Sequence, residues 1–270
     1  MSKINQIQNE LRGQSGEQQV SHTEKATVIC PNCSQKLRTP IDRGELRLVC
    51  PKCKHDWQWS PATNIAIQIE RIKEKLEKAT QLQSVRNQPY QDFYPSSDPS
   101  RYSFKLNPPL SSHKIDTWET KYNTCLPLEY RSFLEQIGNG GGEVHGMEML
   151  RLEDWAIGLC FGDEDKALIA PSQPCLLLEE YQSDEAWERW LVEIAGEHWE
   201  QKYEQELWSP QFGTITVCQD VCGPFGFMVL NGSLKGRIGW FLADWGPPTF
   251  ESSATFLDWY ELWLDGLIAI

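Results

Sequence analysis

No stretch of these 270 residues approaches the ~18 consecutive apolar residues of a membrane-spanning helix, which argues against a membrane protein. Residues 1–23 are polar and Gln-rich and lack the apolar core of a signal peptide. They hold too few apolar groups to bury and are expected to form a disordered tail. No period of 20 to 50 residues recurs along the chain, which removes solenoids and propellers. Hydrolase and nucleotide signatures are also missing: there is no Gly-x-Ser-x-Gly elbow, and the string Gly138-Asn139-Gly140-Gly141-Gly142 lacks the Gly-Lys-Ser/Thr ending of a phosphate loop. His145 beside Glu143 is the one conceivable acid/base pair, and no convergent constellation surrounds it. A non-enzymatic protein is therefore expected.

Positive charge is scarce in the second half. Residues 1–122 carry 18 Lys plus Arg against 13 Asp plus Glu, whereas residues 123–270 carry 7 against 25. Such a split points to two modules with different partners. The acidic half repels nucleic acid and anionic membrane and attracts basic surfaces.

The nine cysteines fit a reducing, cytoplasmic setting better than a disulfide framework, because the number is odd and four of them form a metal signature. Cys30-Pro31-Asn32-Cys33 and Cys50-Pro51-Lys52-Cys53 give the spacing C-x2-C-x16-C-x2-C, in the range of a zinc site. Four thiolates complete a tetrahedron and leave no open position, so Cys30, Cys33, Cys50 and Cys53 are expected to hold one structural Zn2+. Between the pairs, Lys36–Thr39 and Leu46–Val49 alternate like strands around Asp42-Arg43-Gly44, which reads as a hairpin bridging two knuckles, a zinc ribbon. His55 is expected to be an ordinary exposed side chain. Cys218 and Cys222 stand too far apart on a strand for a disulfide and are expected to be buried thiols.

The organisation expected is a tail over 1–23, a zinc ribbon over 24–61, a connector helix over 62–86, a Pro/Ser-rich linker over 87–117 and an acidic α+β domain over 118–270. Ile65, Ile69, Ile72, Leu76 and Ala79 form one helical stripe that docks on the protein. The five prolines between Pro89 and Pro109 forbid a long helix in the linker. In the acidic module, Leu126, Tyr130, Phe133, Leu134 and Ile137 form one helical face that starts at Pro127 and ends at Gly138. Strands follow at Ile215–Val217, Phe227–Leu230 and Ile238–Phe241, with Asn231-Gly232 as a hairpin signal, and Phe256, Trp259, Tyr260 and Trp263 mark a closing helix. The fold class is α+β, a mostly antiparallel sheet with flanking helices.

The run Leu126-Pro127-Leu128-Glu129-Tyr130-Arg131-Ser132-Phe133-Leu134, followed by Gly138-Asn139-Gly140-Gly141, resembles the opening signature of the SUKH superfamily. Phe227–Gly232 with Gly236-Arg237-Ile238 resembles that family's paired strands, and Ser253–Trp259 its closing helix. The resemblance covers residues 118–267. It implies a binding fold without a shared catalytic site, of the kind found in fungal cell-wall-synthesis regulators and in bacterial immunity proteins that neutralise toxins. The fused ribbon and an acidic stretch from Glu179 to Trp208 depart from that pattern.

Within that stretch Trp187, Trp190, Leu191 and Ile194 make an apolar helical face. Glu185, Glu188, Glu193, Glu197, Glu200, Glu204 and Glu206 crowd the rest. The ordinary meaning of this pattern is an amphipathic helix with a solvated face; read instead as a surface, Glu185, Glu188, Glu197, Glu200 and Glu204 are candidates for binding a basic protein partner such as a toxin. The alternative is a zinc-ribbon adaptor that contacts nucleic acid or a nucleic-acid enzyme. Lys36, Arg38, Arg43, Arg47, Lys52 and Lys54 would meet phosphates, and Trp57 and Trp59 would stack on bases.

Overall fold

The computed structural model describes residues 25–40, 44–86, 104–155, 170–205, 208–220, 224–241, 246–252 and 255–269. The tail over 1–23, most of the proposed turn at Asp42-Arg43, Cys160, Cys222, Glu206 and linker residues 87–103 lie outside the described residues. The chain divides into two compact units, Met1–Gln68 and Ile69–Ile270.

The first unit contains β1 (Lys25–Ile29), β2 (Lys36–Pro40), β3 (Leu46–Val49) and β4 (Asp56–Trp59). The strands at 36–39 and 46–49 are where alternation places them, but their pairing differs from the expected hairpin. β2 pairs back onto β1 and β3 pairs forward onto β4, in two separate two-stranded sheets. The cause is the Cys-Pro-x-Cys turn itself: Ser34 N–H bonds the Cys30 carbonyl and Cys30 N–H bonds the Gln35 carbonyl. Each knuckle thereby reverses the chain and becomes the loop of its own hairpin. Registry then sets the faces. Leu46 and Leu48 lie opposite Trp59 and Trp57, and Val28 lies opposite Leu37, so each hairpin has one apolar face, on which Val28, Thr39 and Trp59 are buried.

Helix α1 (Pro61–Arg86) follows at once. The Ser60 hydroxyl accepts from Thr63 N–H at 3.1 Å, an N-cap in front of a proline at the first helical position. The division between units falls inside α1. Ile69, Ile72 and Ala79 are buried, as the helical stripe predicts.

In the second unit, residues expected to be linker are structured. Residues 104–111 are extended and pinned: Asn107 N–H bonds the Gly140 carbonyl and Leu110 N–H the Leu134 carbonyl. Helix α2 (Ser112–Tyr122) starts six residues before the expected boundary, capped by Ser111, and buries Ile115 and Trp118. It is held to α3 (Leu128–Gln136) by Arg131, whose guanidinium reaches Glu119 at 2.6 Å and Asp116 at 2.7 Å. The sheet is a six-stranded antiparallel meander in the order β10-β9-β8-β7-β6-β5, made of β5 (Glu143–Val144), β6 (Met147–Met149), β7 (Thr214–Gln219), β8 (Phe225–Val229), β9 (Ile238–Phe241) and β10 (Thr249–Phe250). The fold is α+β.

Helices lie on both faces of this sheet. Phe225, Phe227, Val229 and Phe241 project to one face and form a core with Trp187, Trp190 and Leu191 of α4 (Asp184–Ala195). Strand alternation sends Trp240 to the other face, where its ring lies 6.2 Å from Trp259 of α6 (Phe256–Ala269). On that side, edge-to-face contacts link Tyr130 and Phe133 of α3 to Phe256 and Tyr260 of α6. Asn231 is not in a two-residue hairpin turn. Its side chain accepts from Cys175 N–H at 2.7 Å and donates to the Gln173 carbonyl at 2.8 Å, anchoring a distant loop to the β8–β9 connection.

Candidate metal centre

The two knuckles repeat one conformation at an interval of 20 residues. Ser34 N–H to the Cys30 carbonyl and Cys30 N–H to the Gln35 carbonyl recur as Lys54 N–H to Cys50 and Cys50 N–H to His55. Ser34 and Lys54 take matching left-handed φ values of 58° and 62°. This recurrence is confined to the two knuckles and builds no solenoid or propeller among the described residues. The copies share little beyond Cys-Pro-x-Cys and alternating apolar positions.

The duplication brings Cys30, Cys33, Cys50 and Cys53 together, with all four sulfurs within 4.8 Å of one another. Cys30 approaches Cys53 at 3.6 Å and Cys33 approaches Cys50 at 3.6 Å. All four are free thiols. In each copy the first cysteine is buried and the second is half-buried, Cys30 and Cys50 being 1% and 0% exposed. Backbone N–H groups of Lys52 and Cys53 donate to Cys50, and the Asn32 side chain with the His55 N–H acts on Cys53, pulling it down to about 6. Cys33 accepts from Gln35 N–H, but desolvation and hydrogen bonds with Cys53, Cys50 and Cys30 push it up to about 12. Four sulfurs converge with N–H donors already aimed at them. That is the donor set of a metal centre, since thiolates bind metals and N–H···S bonds stabilise thiolates. Asn32 could not be singled out from sequence, because only the folded knuckle brings it to Cys53.

The ribbon's other candidates are dispersed. Trp59 is 4% exposed and is therefore closed to base stacking, whereas Trp57 is half-buried and stacks on exposed His55 at 5.8 Å. Arg47 is engaged by Asp56. Lys36, Arg38, Lys52 and Lys54 are exposed, and Arg43 lies outside the described residues.

The acidic stretch is built as its pattern predicts. Ser183 caps α4 by accepting from Ala186 N–H, Trp187 and Trp190 stack at 4.9 Å, and the Lys202 ammonium of α5 (Trp199–Glu204) donates to the Ala195 carbonyl at the end of α4. Glu185, Glu188, Glu193, Glu197, Glu200 and Glu204 are all exposed. None of the six has an ion-pair partner among the ion pairs of the described residues.

Glu143 and His145 belong to a turn. His145 and Gly146 carry φ values of 51° and 79° between the paired residues Val144 and Met147, a reversal in which both central residues are left-handed. The Glu143 carboxylate accepts from Gly146 N–H, and burial raises it to about 7. The His145 ring instead stacks on Trp259 at 5.2 Å, with burial lowering its pKa. The glycine string is likewise accounted for by packing: a Cβ on Gly140 would strike the Leu150 backbone, and one on Gly141 the Asn107 amide. Just before them Asn139 accepts from Leu152 N–H and donates to Glu153, both at 2.8 Å.

Among the described residues no helix is long and apolar enough to cross a membrane. No protein-family model, curated protein or solved structure matches this chain.

Proposed function

We propose that this is a non-enzymatic binding protein of two parts: a ribbon held by one structural Zn2+, and an acidic SUKH-like unit that docks a basic protein, as an immunity-type protein docks a toxin. Zinc is favoured by the ligand set. A tetrahedral ion with Zn–S bonds of about 2.3 Å spaces its sulfurs about 3.8 Å apart, close to the separations of 3.6 Å in the two cross-knuckle pairs. Four thiolates leave no position for water or substrate, so the ion's role is to fold the ribbon.

The docking role rests on one observation: six exposed carboxylates have no ion-pair partner among the described residues. Glu185, Glu188 and Glu193 stand on α4, whose opposite face is locked into the core by Trp187, Trp190 and Leu191, and Glu197, Glu200 and Glu204 lie just before and along α5, which Lys202 ties to the end of α4. Unneutralised charge on a rigid support steers a complementary partner and selects it. The SUKH resemblance is supported by α3 running into the glycine turn, by the β8–β9 pair and by the closing α6.

The test starts from the full chain as bait, with basic proteins retained at physiological salt identified and their association rates measured. Glu197, Glu200 and Glu204 reversed to Lys should slow association at least about tenfold without shifting the thermal transition, and raised salt should weaken the unmodified complex. Retention indifferent to the reversal defeats the docking reading. Micromolar nucleic-acid affinity at physiological salt, lost when Arg38, Arg47 and Lys52 become Ala, would favour the ribbon-adaptor alternative instead.

A further inference from the structure

The four cysteines are not equivalent, and their inequality has chemical direction. Each 3.6 Å pair crosses from one knuckle to the other and joins a half-buried cysteine to a buried one: Cys33 to Cys50, and Cys53 to Cys30. Within a knuckle, the bonds from Ser34 N–H to Cys30 and from Lys54 N–H to Cys50 hold the turn in shape. Elsewhere, Cys218 and Cys175 are held as thiols by burial, pushed up to about 12 and about 11, while Cys125 is exposed.

We propose that the four-cysteine centre is an oxidation site for peroxide-class oxidants, in which Cys33 and Cys53 are attacked, Cys50 and Cys30 resolve them into two cross-knuckle disulfides, and the metal is expelled. The inference rests on the zinc reading above. The Cys33 thiolate attacks one peroxide oxygen, the O–O bond breaks, and a sulfenic acid and hydroxide result. The Cys50 thiolate then attacks the sulfenic sulfur, the S–S bond forms and a second hydroxide leaves. The same two steps at Cys53 and Cys30 consume a second peroxide. In all, four thiolates and two peroxides give two disulfides and four hydroxides, and the cation departs because its ligands are gone. Because both bridges join the two hairpins, the oxidised ribbon stays cross-linked without metal and can be reduced and reloaded. A bridge inside one knuckle would leave the hairpins untied.

The experiment uses the full chain with Cys125→Ser, which removes that exposed thiol. Metal content is measured first, and the zinc-loaded protein is then titrated with hydrogen peroxide while released zinc and remaining thiols are counted. Release of about one zinc per chain with loss of about four thiols, restored by reductant plus zinc, is expected. Digestion under non-reducing conditions should join the 26–36 peptide to peptides containing Cys50 and Cys53. In Cys33→Ser, only Cys30 and Cys53 should be bridged and Cys50 should stay reduced. Zinc retained at several equivalents of peroxide, a Cys30–Cys33 or Cys50–Cys53 bridge, or sulfinic acids in place of disulfides would overturn the proposal while leaving the zinc reading intact. A reduced preparation without zinc overturns both.

Discussion

Removing both cations from Glu261 tests whether α1 is structurally part of the acidic unit. Glu261 is 8% exposed and receives two bonds of 2.9 Å from the Arg71 guanidinium and one of 2.9 Å from the Lys75 ammonium. Lys75 also meets Asp265 at 2.5 Å. Arg71→Ala alone leaves Lys75 in place and should cost about 1–2 kcal/mol, within the range of charge-assisted hydrogen bonds. The double change Arg71→Ala, Lys75→Ala takes both of these cations from a buried carboxylate, for which about 3 kcal/mol is expected, the low end of the range for breaking a buried pair. In urea, monitored by tryptophan fluorescence, that loss is a midpoint shift of about 1–1.5 M if the slope is about 2–3 kcal/mol/M. The pH dependence supplies a second check. Desolvation raises the Glu261 pKa, but the bonds and charges of Arg71 and Lys75 outweigh it and hold the group below its ordinary 4.5. Its stabilisation is therefore present above that value and lost as pH falls through the lower folded pKa. The stability gap between parent and double variant should be widest near neutrality and shrink towards pH 4. A double variant within about 0.5 kcal/mol of the parent at pH 7, inside the usual range for surface changes, would refute the claim that these ion pairs fasten α1.

Two further outcomes follow from buried polar geometry. Glu143 is raised by burial to about 7, so the folded state holds its proton more tightly than the unfolded chain does, and stability falls as pH rises from about 4.5 through 7. Glu143→Gln should raise the thermal midpoint at pH 8, by about 2 kcal/mol in free energy, and change it little at pH 5; equal shifts at the two pH values would contradict this. Gly140 has a φ of 60° and faces the Leu150 backbone, so Gly140→Ala should cost at least about 2 kcal/mol in chemical unfolding. A neutral substitution there would mean the glycine string is not fixed by packing.

What could be read from sequence was set by local periodicity and spacing. The α1 stripe, the α3 face ending at Gly138, the strand at Ile215–Val217 and the apolar side of α4 each repeat within one element, so burial in the structure follows directly. The ligand set of the metal centre was legible for the same reason, since the Cys-Pro-x-Cys spacing is local. Pairing partners were not. Two alternating runs around Asp42-Arg43-Gly44 look like a hairpin, and only the hydrogen bonds of the knuckles show that each chain reversal lies at the cysteines instead. Helix α2 was obscured by the prolines before it, although Ser111 is a capping residue and Ile115, Trp118 and Tyr122 are spaced by three and four. Asn139 and Asn231 look like turn residues in sequence. Their partners at Leu152, Glu153, Cys175 and Gln173 are remote, and no local pattern encodes such bonds.

The location of α1 bears on how far the acidic unit can be trimmed. A fragment that begins at Ser112 lacks Arg71 and Lys75, and so removes the same two cations from Glu261 as the double variant. It also lacks Leu110, which is buried and bonded to the Leu134 carbonyl, and Asn107, whose amide donates to the Asn139 carbonyl at 3.2 Å and exchanges backbone bonds with Asn139 and Gly140. Ile69 and Ile72, both 0% exposed in the intact protein, would leave with α1 and uncover the surface they occupy. Each aliphatic side chain contributes about 1.5–3 kcal/mol of burial, and a domain's whole stability is about 5–15 kcal/mol. The Ser112 fragment should therefore populate unfolded or aggregated states, whereas one that begins at Pro61 should keep a cooperative transition, as measured by calorimetry and tryptophan emission. Equal midpoints for the two fragments would show that α1 is a passive connector, and that the acidic unit is autonomous from α2 onward.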